Sequence, residues 1–497
     1  MISFDQIGTG MRTPLCYIEI NNTGAVSGLP TALNKTLIIG QRLDDGTAES
    51  GKLYNVYSGP MAQGLFGRSS MLAAQIAAFK DVNTSADVWA IALDDDPASI
   101  KATGGLAVSG TATASGTLSV MIGGTRIRLA VYAQDKADDI ATNLIDAINA
   151  NLDVPVVASA PDPVTQLADG EVTPNVILTA RHGGECGNDI DIRINYYTGE
   201  NLPTGVAVDI VAMAGGTANP DISPVIAAMG DVWWNYVINP YTDQSNLDAL
   251  AAELLTRWGP DKMNDGEAFI AYRGVLADTT TFGTTRNDFL YSCIGTNIAP
   301  ETPYIWASRI AAACIDSLTV DPARPMQTLA VKGLKPPATS DCWIREDRET
   351  LLYDGISTYT VNGDTVQIER MITMYRTDSY GNADTSYLDV NTPQTLSYIR
   401  YSTRTTIEQK FPRCKLADDG TPVAAGQAIV TPKIIADELK TLTVQFNEQG
   451  LVEDVDQFNA TLQVERNADD PDRVDVYSQP NLINQFRIYA QAINFLL

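Results

Sequence analysis

The 497-residue sequence contains a single histidine, His182. Without a second one, a His-based metal centre, a zincin or an α/β-hydrolase triad has nothing to be built from. The six cysteines (Cys16, Cys186, Cys293, Cys314, Cys342, Cys414) are widely scattered and form no C-x-x-C pair. Reduced, mostly buried thiols are expected, not disulfides or a zinc site. Neither G-x-G-x-x-G nor G-x-x-x-x-G-K-[ST] is present, so the paired glycines at 104–105, 123–124, 183–184 and 215–216 read as turns. Nucleotide hydrolysis is therefore unsupported as an energy source, and no cofactor is expected. Charged residues make up only 19%, with 34 Lys and Arg against 60 Asp and Glu, a net charge of −26. Such a chain repels nucleic acid and anionic membranes as a whole, although a local basic patch could meet an acidic protein. No apolar run approaches the ~18 residues of a membrane span. Met1-Ile2-Ser3-Phe4-Asp5 has neither the basic start nor the apolar core of a signal peptide. The expectation is a protein made and kept in the cytoplasm, or one that leaves it without a signal peptide.

What is present centres on residues 351–411. LYDGISTYTV and DTVQIERMITMYR are β-rich runs, and Asn362-Gly363 between them predicts a type I′ hairpin turn. Val366, Ile368, Arg370 and Ile372 form an inward row broken by one charge, opposite Gln367, Glu369, Met371 and Thr373. From Gln394 the period becomes helical, through Leu396, Ile399, Thr403, Ile407 and Phe411, with Thr392 as expected N-cap before Pro393. A strand pair handing over to an amphipathic helix, with no nucleophile in it, is built for packing.

The rest reads as a mixed α/β, multidomain chain. Residues 1–30 are an arm, with TPLCYIEI a strand on glycine-rich tethers. Residues 31–100 form a β-α-β unit: TLIIGQR, a helix capped by Ser69 or Ser70, and DVWAIALD. Residues 101–218 are rich in Gly, Thr, Ala and Val, predicting a β-sandwich-like insert interrupted by a helix with Ile140, Leu144 and Ile148 in one stripe. Residues 219–335 return to alternating α and β. Residues 336–480 hold the hairpin, its helix and a second helix, Pro432 to Glu448, with Ile435, Leu439, Leu442 and Phe446 on one face. DQFNATLQVER reads as a strand, and 481–497 as a final arm strand. Two strands at the extremities without local partners suggest pairing with a sheet edge of another subunit.

Candidate chemistry is sparse. His182 beside Cys186 lies among glycines and reads as a turn between strands. Asp94-Asp95-Asp96 reads as a solvated loop face, although Asp94 and Asp96 with Mg²⁺ would serve a hydrolase or lyase. Arg400, Arg404, Lys410, Arg413 and Lys415 against Glu408 form a local basic excess that could dock an acidic partner, with Lys433 and Lys440 on the next helix as rivals.

The stretches DGISTYTVNG and RMITMY, then YLDV and TLSYIR, together with LPTALNKTLIIGQR and LFGRSSML near the start, resemble contractile tail sheath proteins of Mu-type bacteriophages. The resemblance implies a sheath polymerisation domain built from both chain ends, with the middle inserted as outward-facing domains. It implies a homo-oligomer of stacked six-subunit rings around a tail tube protein, with baseplate and tail terminator proteins as further partners, in a virion tail assembled in the host cytoplasm. Contraction would drive the tube through the host envelope. Leu15, Tyr17, Ile18 and Ile20 of the N-terminal arm and Phe486, Ile488, Tyr489, Ile493 and Phe495 of the C-terminal arm would make inter-subunit strands. The basic residues above would face the tube; no metal and no catalytic residue is implied. The readings held against it are the metal-dependent hydrolase or lyase and another virion protein, capsid- or adhesin-like.

Overall fold

The computed structural model describes residues 34–161, 173–422, 424 and 426–496. The expected N-terminal strand, with Leu15, Tyr17, Ile18 and Ile20, lies outside them. In chain order the elements begin with β1 (Lys35–Gln41), β2 (Leu53–Asn55), α1 (Gly59–Phe66), α2 (Met71–Val82) and β3 (Asp87–Leu93). Next come β4 (Lys101–Gly110), β5 (Gly116–Ile122), β6 (Thr125–Val131), α3 (Ala137–Ala150), β7 (Val156–Ser159), β8 (Val176–Gly183), β9 (Ile192–Ile194) and β10 (Val206–Ala214). Then follow α4 (Ser223–Met229), β11 (Tyr236–Ile238), α5 (Gln244–Trp258), β12 (Glu267–Arg273), α6 (Leu276–Thr284), β13 (Tyr291–Asn297) and α7 (Pro303–Val320).

The segments 31–100 and 219–335 share one sheet, in the order β13-β12-β11-β1-β3-β2. Central β1 pairs in parallel with both β3 and β11, so the chain leaves the sheet after β3 and returns to it through β11. Leu37, Ile38 and Ile39 of β1 are all fully buried, as a parallel strand covered on both faces requires. Ser70 caps α2, its hydroxyl accepting the Ala73 N–H at 3.1 Å. α2 and α7 pack together over this sheet. The insert has its own core, enclosed by the sheet β10-β4-β8-β7, the sheet β6-β5-β9 and α3, whose Ile140, Leu144 and Ile148 all point inward.

Beyond α7 lie β14 (Ala330–Val331), α8 (Arg345–Tyr353), β15 (Thr358–Asn362) and β16 (Thr365–Arg370). Leu352 and Tyr353, expected in a strand, end α8, which begins at Arg345 with acidic residues in its first turn. Asn362 pairs opposite Thr365, so the hairpin's central residues are Gly363 and Asp364. Only Gly363 has positive φ (62°), the pattern of a type II′ turn one residue later than the expected Asn-Gly. The inward row holds at Val366, Ile368 and Ile372, but Met371 and Thr373 are buried too, because the chain past Arg370 is covered on both sides. This block packs into the main core through Trp343, Leu351, Ile356 and Val366.

One contact there yields a direct test. A Cβ on Gly283 of α6 would stand 2.3 Å from the Asp354 carbonyl oxygen. We expect Gly283→Ala to cost about 1–3 kcal/mol by overpacking, measured by denaturant melts; an unchanged midpoint would mean the 354–355 turn can retreat.

α9 (Asn391–Lys410) follows, starting one residue before the expected cap. Tyr398–Ile483 forms a compact unit of its own. It contains β17 (Lys415–Leu416), β18 (Ile429–Val430), α10 (Pro432–Glu448), β19 (Val452–Glu453), α11 (Val455–Thr461), β20 (Gln463–Arg466), β21 (Val474–Tyr477) and β22 (Asn481–Leu482). DQFNAT is thus helical where a strand was expected, because Asp454, in the left-handed conformation, caps α11 by accepting the Gln457 N–H at 3.0 Å.

Candidate functional site

The tail after β22 has no helix or strand over residues 483–496. Its side chains Phe486, Ile488, Tyr489, Ile493, Phe495 and Leu496 are 72–99% exposed. Among the described residues, 485–496 make no backbone–backbone hydrogen bond. The strand expected there is absent from the single chain because a ladder needs a second strand. The tail is tied only at its root. Gln485 Nε2 donates to the Ala323 carbonyl at 3.2 Å, and Arg487 Nη2 donates to Asp389 Oδ1 at 2.9 Å.

In the compact unit 398–483, α9, α10 and α11 enclose an apolar groove of about 290 Å³. Ile399, Thr403 and Ile407 line one wall, Ile435, Leu439, Leu442 and Phe446 another, and Val474 and Val476 of β21 the rim. Among the described residues β20 and β21 form a two-stranded antiparallel sheet and no third strand pairs with β21, along which Val476 and Tyr477 are exposed. Sequence reasoning missed this hairpin, because NADDPD between its strands lacks the Gly-containing pairs that announce a tight turn.

The basic residues of this unit differ in burial and in partners. Arg400 and Arg404 are half-buried and each has an interaction partner. Lys410 Nζ pairs with Glu438 of α10 at 2.6 Å, and Lys415 donates to Gln427 at 3.2 Å. Arg413 and Lys433 are exposed, and Lys440 is half-buried.

At the first turn of α9, Gln394 Nε2 donates to Glu267 Oε2 at 2.7 Å. Glu267 is fully buried at the start of β12, and its Oε1 has no partner. Burial pushes its carboxyl up to about 8, only partly offset by Gln394. Nothing in the sequence marks this residue; it reads as one polar letter in GEAFIAYRG.

The insert joins the main sheet through a neck where the acidic triplet departs from expectation. Asp95 is no solvated face. It accepts the Gly183 N–H and the Gln41 amide, each at 2.7 Å, and lies 3.2 Å from His182 Nδ1. Burial opposes its charge, but these bonds outweigh burial and hold its carboxyl below the usual range. His182 Nε2 in turn accepts the Met71 N–H at 3.0 Å. His182 is therefore a bracket between β8, the neck and α2, which is more than the turn residue expected. Asp94 pairs with Arg42 at 2.6 Å. Among the described residues no three His, Cys, Asp or Glu side chains stand together as a metal would need.

Residues 215–374 match the family model of the phage tail sheath protein central domain, and 382–495 that of the phage tail sheath C-terminal domain. The Mu-like prophage FluMu tail sheath protein of Haemophilus influenzae is 50% identical over 497 residues, covering 100% of both chains. The chain belongs to the phage tail sheath family. The sheath protein also aligns with the crystal structure of a sheath tail protein from Desulfitobacterium hafniense (TM-score 0.49, 12% identity, 95% of this chain and 97% of that one). The helical sheath of the anti-feeding prophage in its contracted state aligns over 98% and 99% (TM-score 0.48, 9% identity). The protein is a structural subunit of a phage tail sheath, located in the virion tail. The hydrolase reading of Asp94 and Asp96 loses its ground, since Asp94 is held in an ion pair with Arg42.

Proposed function

We propose that this subunit stacks as six-membered rings around a tail tube protein, bounded by baseplate and tail terminator proteins, and assembles in the host cytoplasm. Contraction then drives the tube through the host envelope. The arms at 1–30 and 481–497 do the joining by adding strands to neighbouring subunits. The observation that carries this reading is the C-terminal tail, whose apolar side chains and backbone groups are both left unpaired. The open edge of β21, beside the apolar groove, is the acceptor that suits such a strand in a neighbouring copy. Main-chain ladders survive rigid-body shifts when their linkers bend, so copies stay joined while the polymer shortens. The energy is held in the metastable assembled state, released in modest amounts per copy, and the subunit performs no catalysis.

Negative-stain imaging of the purified protein, alone and with a tube protein, tests this; particles that remain single under both conditions would count against it. Tube contact is assigned to Arg400, Arg404, Lys410, Arg413 and Lys415, with Lys433 and Lys440 of α10 as the competing set. Reversing charge at Arg400 and Arg404 should lower co-assembly with the tube and flatten its salt dependence. Unchanged, salt-insensitive association would move the contact to α10 or away from both helices.

A further inference from the structure

Two motifs singled out in the sequence, RMITMY and YLDV, meet in the folded chain. Ile372 bridges Asp389, and the Thr373 N–H donates to the Leu388 carbonyl at 2.8 Å. This places Arg370, the one charge in the hairpin's inward row, against Asp389. Arg370 Nε and Nη2 donate to Asp389 Oδ1 and Oδ2, both at 3.0 Å, a complete bidentate pair. Arg487 then adds a second guanidinium, on Oδ1. One carboxylate serves two cations, and the fold needs only the first. The Arg487 side chain is 13% exposed, also donates to Gln485 Oε1, and keeps Nε and Nη1 buried without a partner.

We propose that Arg487 is the positioning residue of the C-terminal arm: through Asp389 it seats the arm's root on the subunit's own body and sets where residues 488–496 depart. This rests on the reading of the tail as an exchange arm. Gln485 and Arg487 attach the root, whereas beyond them, among the described residues, Tyr489 and Gln491 touch each other at 3.0 Å. An arm leaving from a fixed point searches a smaller volume than one loose from Ile483, which raises its effective concentration at a neighbour's edge. The seat is also shallow. Two unmet donors and a shared anion make it a contact that can turn or reform as copies shift.

The test uses full-length Arg487→Ala and Arg487→Lys beside a chain lacking residues 488–497. Arg487→Ala should melt within about 1 °C of the parent, because the Arg370–Asp389 pair remains, while the backbone order parameter at 485–487 in the monomer falls from the rigid range of about 0.85 to below about 0.6. Tube formation should slow several-fold. Lysine should restore only part of both, since an ammonium cannot reproduce the planar fork that spans Asp389 and Gln485. Unchanged order parameters at 485–487 overturn the proposal, as do lowered ones with normal assembly, or a melting loss of many degrees that marks a merely structural role. If the chain lacking 488–497 still forms tubes, the arm reading itself fails, and the order parameters at 485–487 still judge whether Arg487 holds the root.

Discussion

Removal of residues 484–497 is expected to leave a subunit that folds as before and forms no tubes. Among the described residues, 485–496 contribute no backbone hydrogen bond and their large apolar side chains stand in solvent, so the loss removes little beyond the contacts of Asn484, Gln485 and Arg487 at the root. An ion pair at this level of exposure stabilises by roughly 1 kcal/mol. The assembled state loses far more. Burying side chains such as Phe486, Ile488, Tyr489, Ile493 and Phe495 against a neighbour contributes about 1.5–3 kcal/mol each, of order 10 kcal/mol per copy before ordering costs. Circular dichroism should show an unchanged melt, and electron microscopy an absence of polymer. The same result is expected on deleting residues 1–20. Tubes assembled from either truncated chain would sink the arm mechanism.

Glu267→Gln is expected to stabilise the subunit, and increasingly so as pH rises. The folded carboxyl titrates near 8, against 4.5 for an ordinary glutamate. Below pH 4.5 both folded and unfolded chains hold the proton, and the residue contributes no pH dependence. Between 4.5 and 8 the unfolded chain ionises while the folded one stays protonated, so stability falls as pH rises, and it levels off above about 8. The accumulated cost is on the order of 4 kcal/mol at the upper end. Glutamine removes the titration, and its carbonyl can still accept from Gln394. Melts of both proteins at pH 5, 6.5 and 8 should agree at the lowest pH and separate by several degrees at the highest. Parallel slopes would mean that Glu267 is ionised in the folded state. The site lies at the root of α9, so tube formation by the variant would also show whether a loosened root is part of how the sheath works.

Much of the architecture could be read from periodicity. Continuous apolar runs marked β1, β3 and β12, and i, i+4 stripes marked α3, α9 and α10, because those signals come from burial repeated along one element. What failed was local competition and long-range company. Asp454 turned an expected strand into α11 by offering a cap, and the hairpin turn moved one residue because Thr365 found Asn362 as its partner. Neither Glu267 nor Arg487 could be singled out from the sequence. Each matters through a partner more than 90 residues away, Gln394 and Asp389.

The amino-acid order by itself determined the class of molecule. One histidine, scattered thiols and no phosphate loop left His-based and phosphate-loop chemistry without their residues, and the stretches around RMITMY and YLDV pointed to the sheath family, which full-length similarity to a tail sheath protein then showed. Only the tertiary structure decided that segments on either side of the insert share one sheet, that Asp95 and His182 fasten its neck, and that the final residues stand unpaired with a single ionic root. The reason is range. Composition and periodicity report what each residue does to its near neighbours, whereas strand order, a shared carboxylate and an empty strand edge exist only once distant parts of the chain have met.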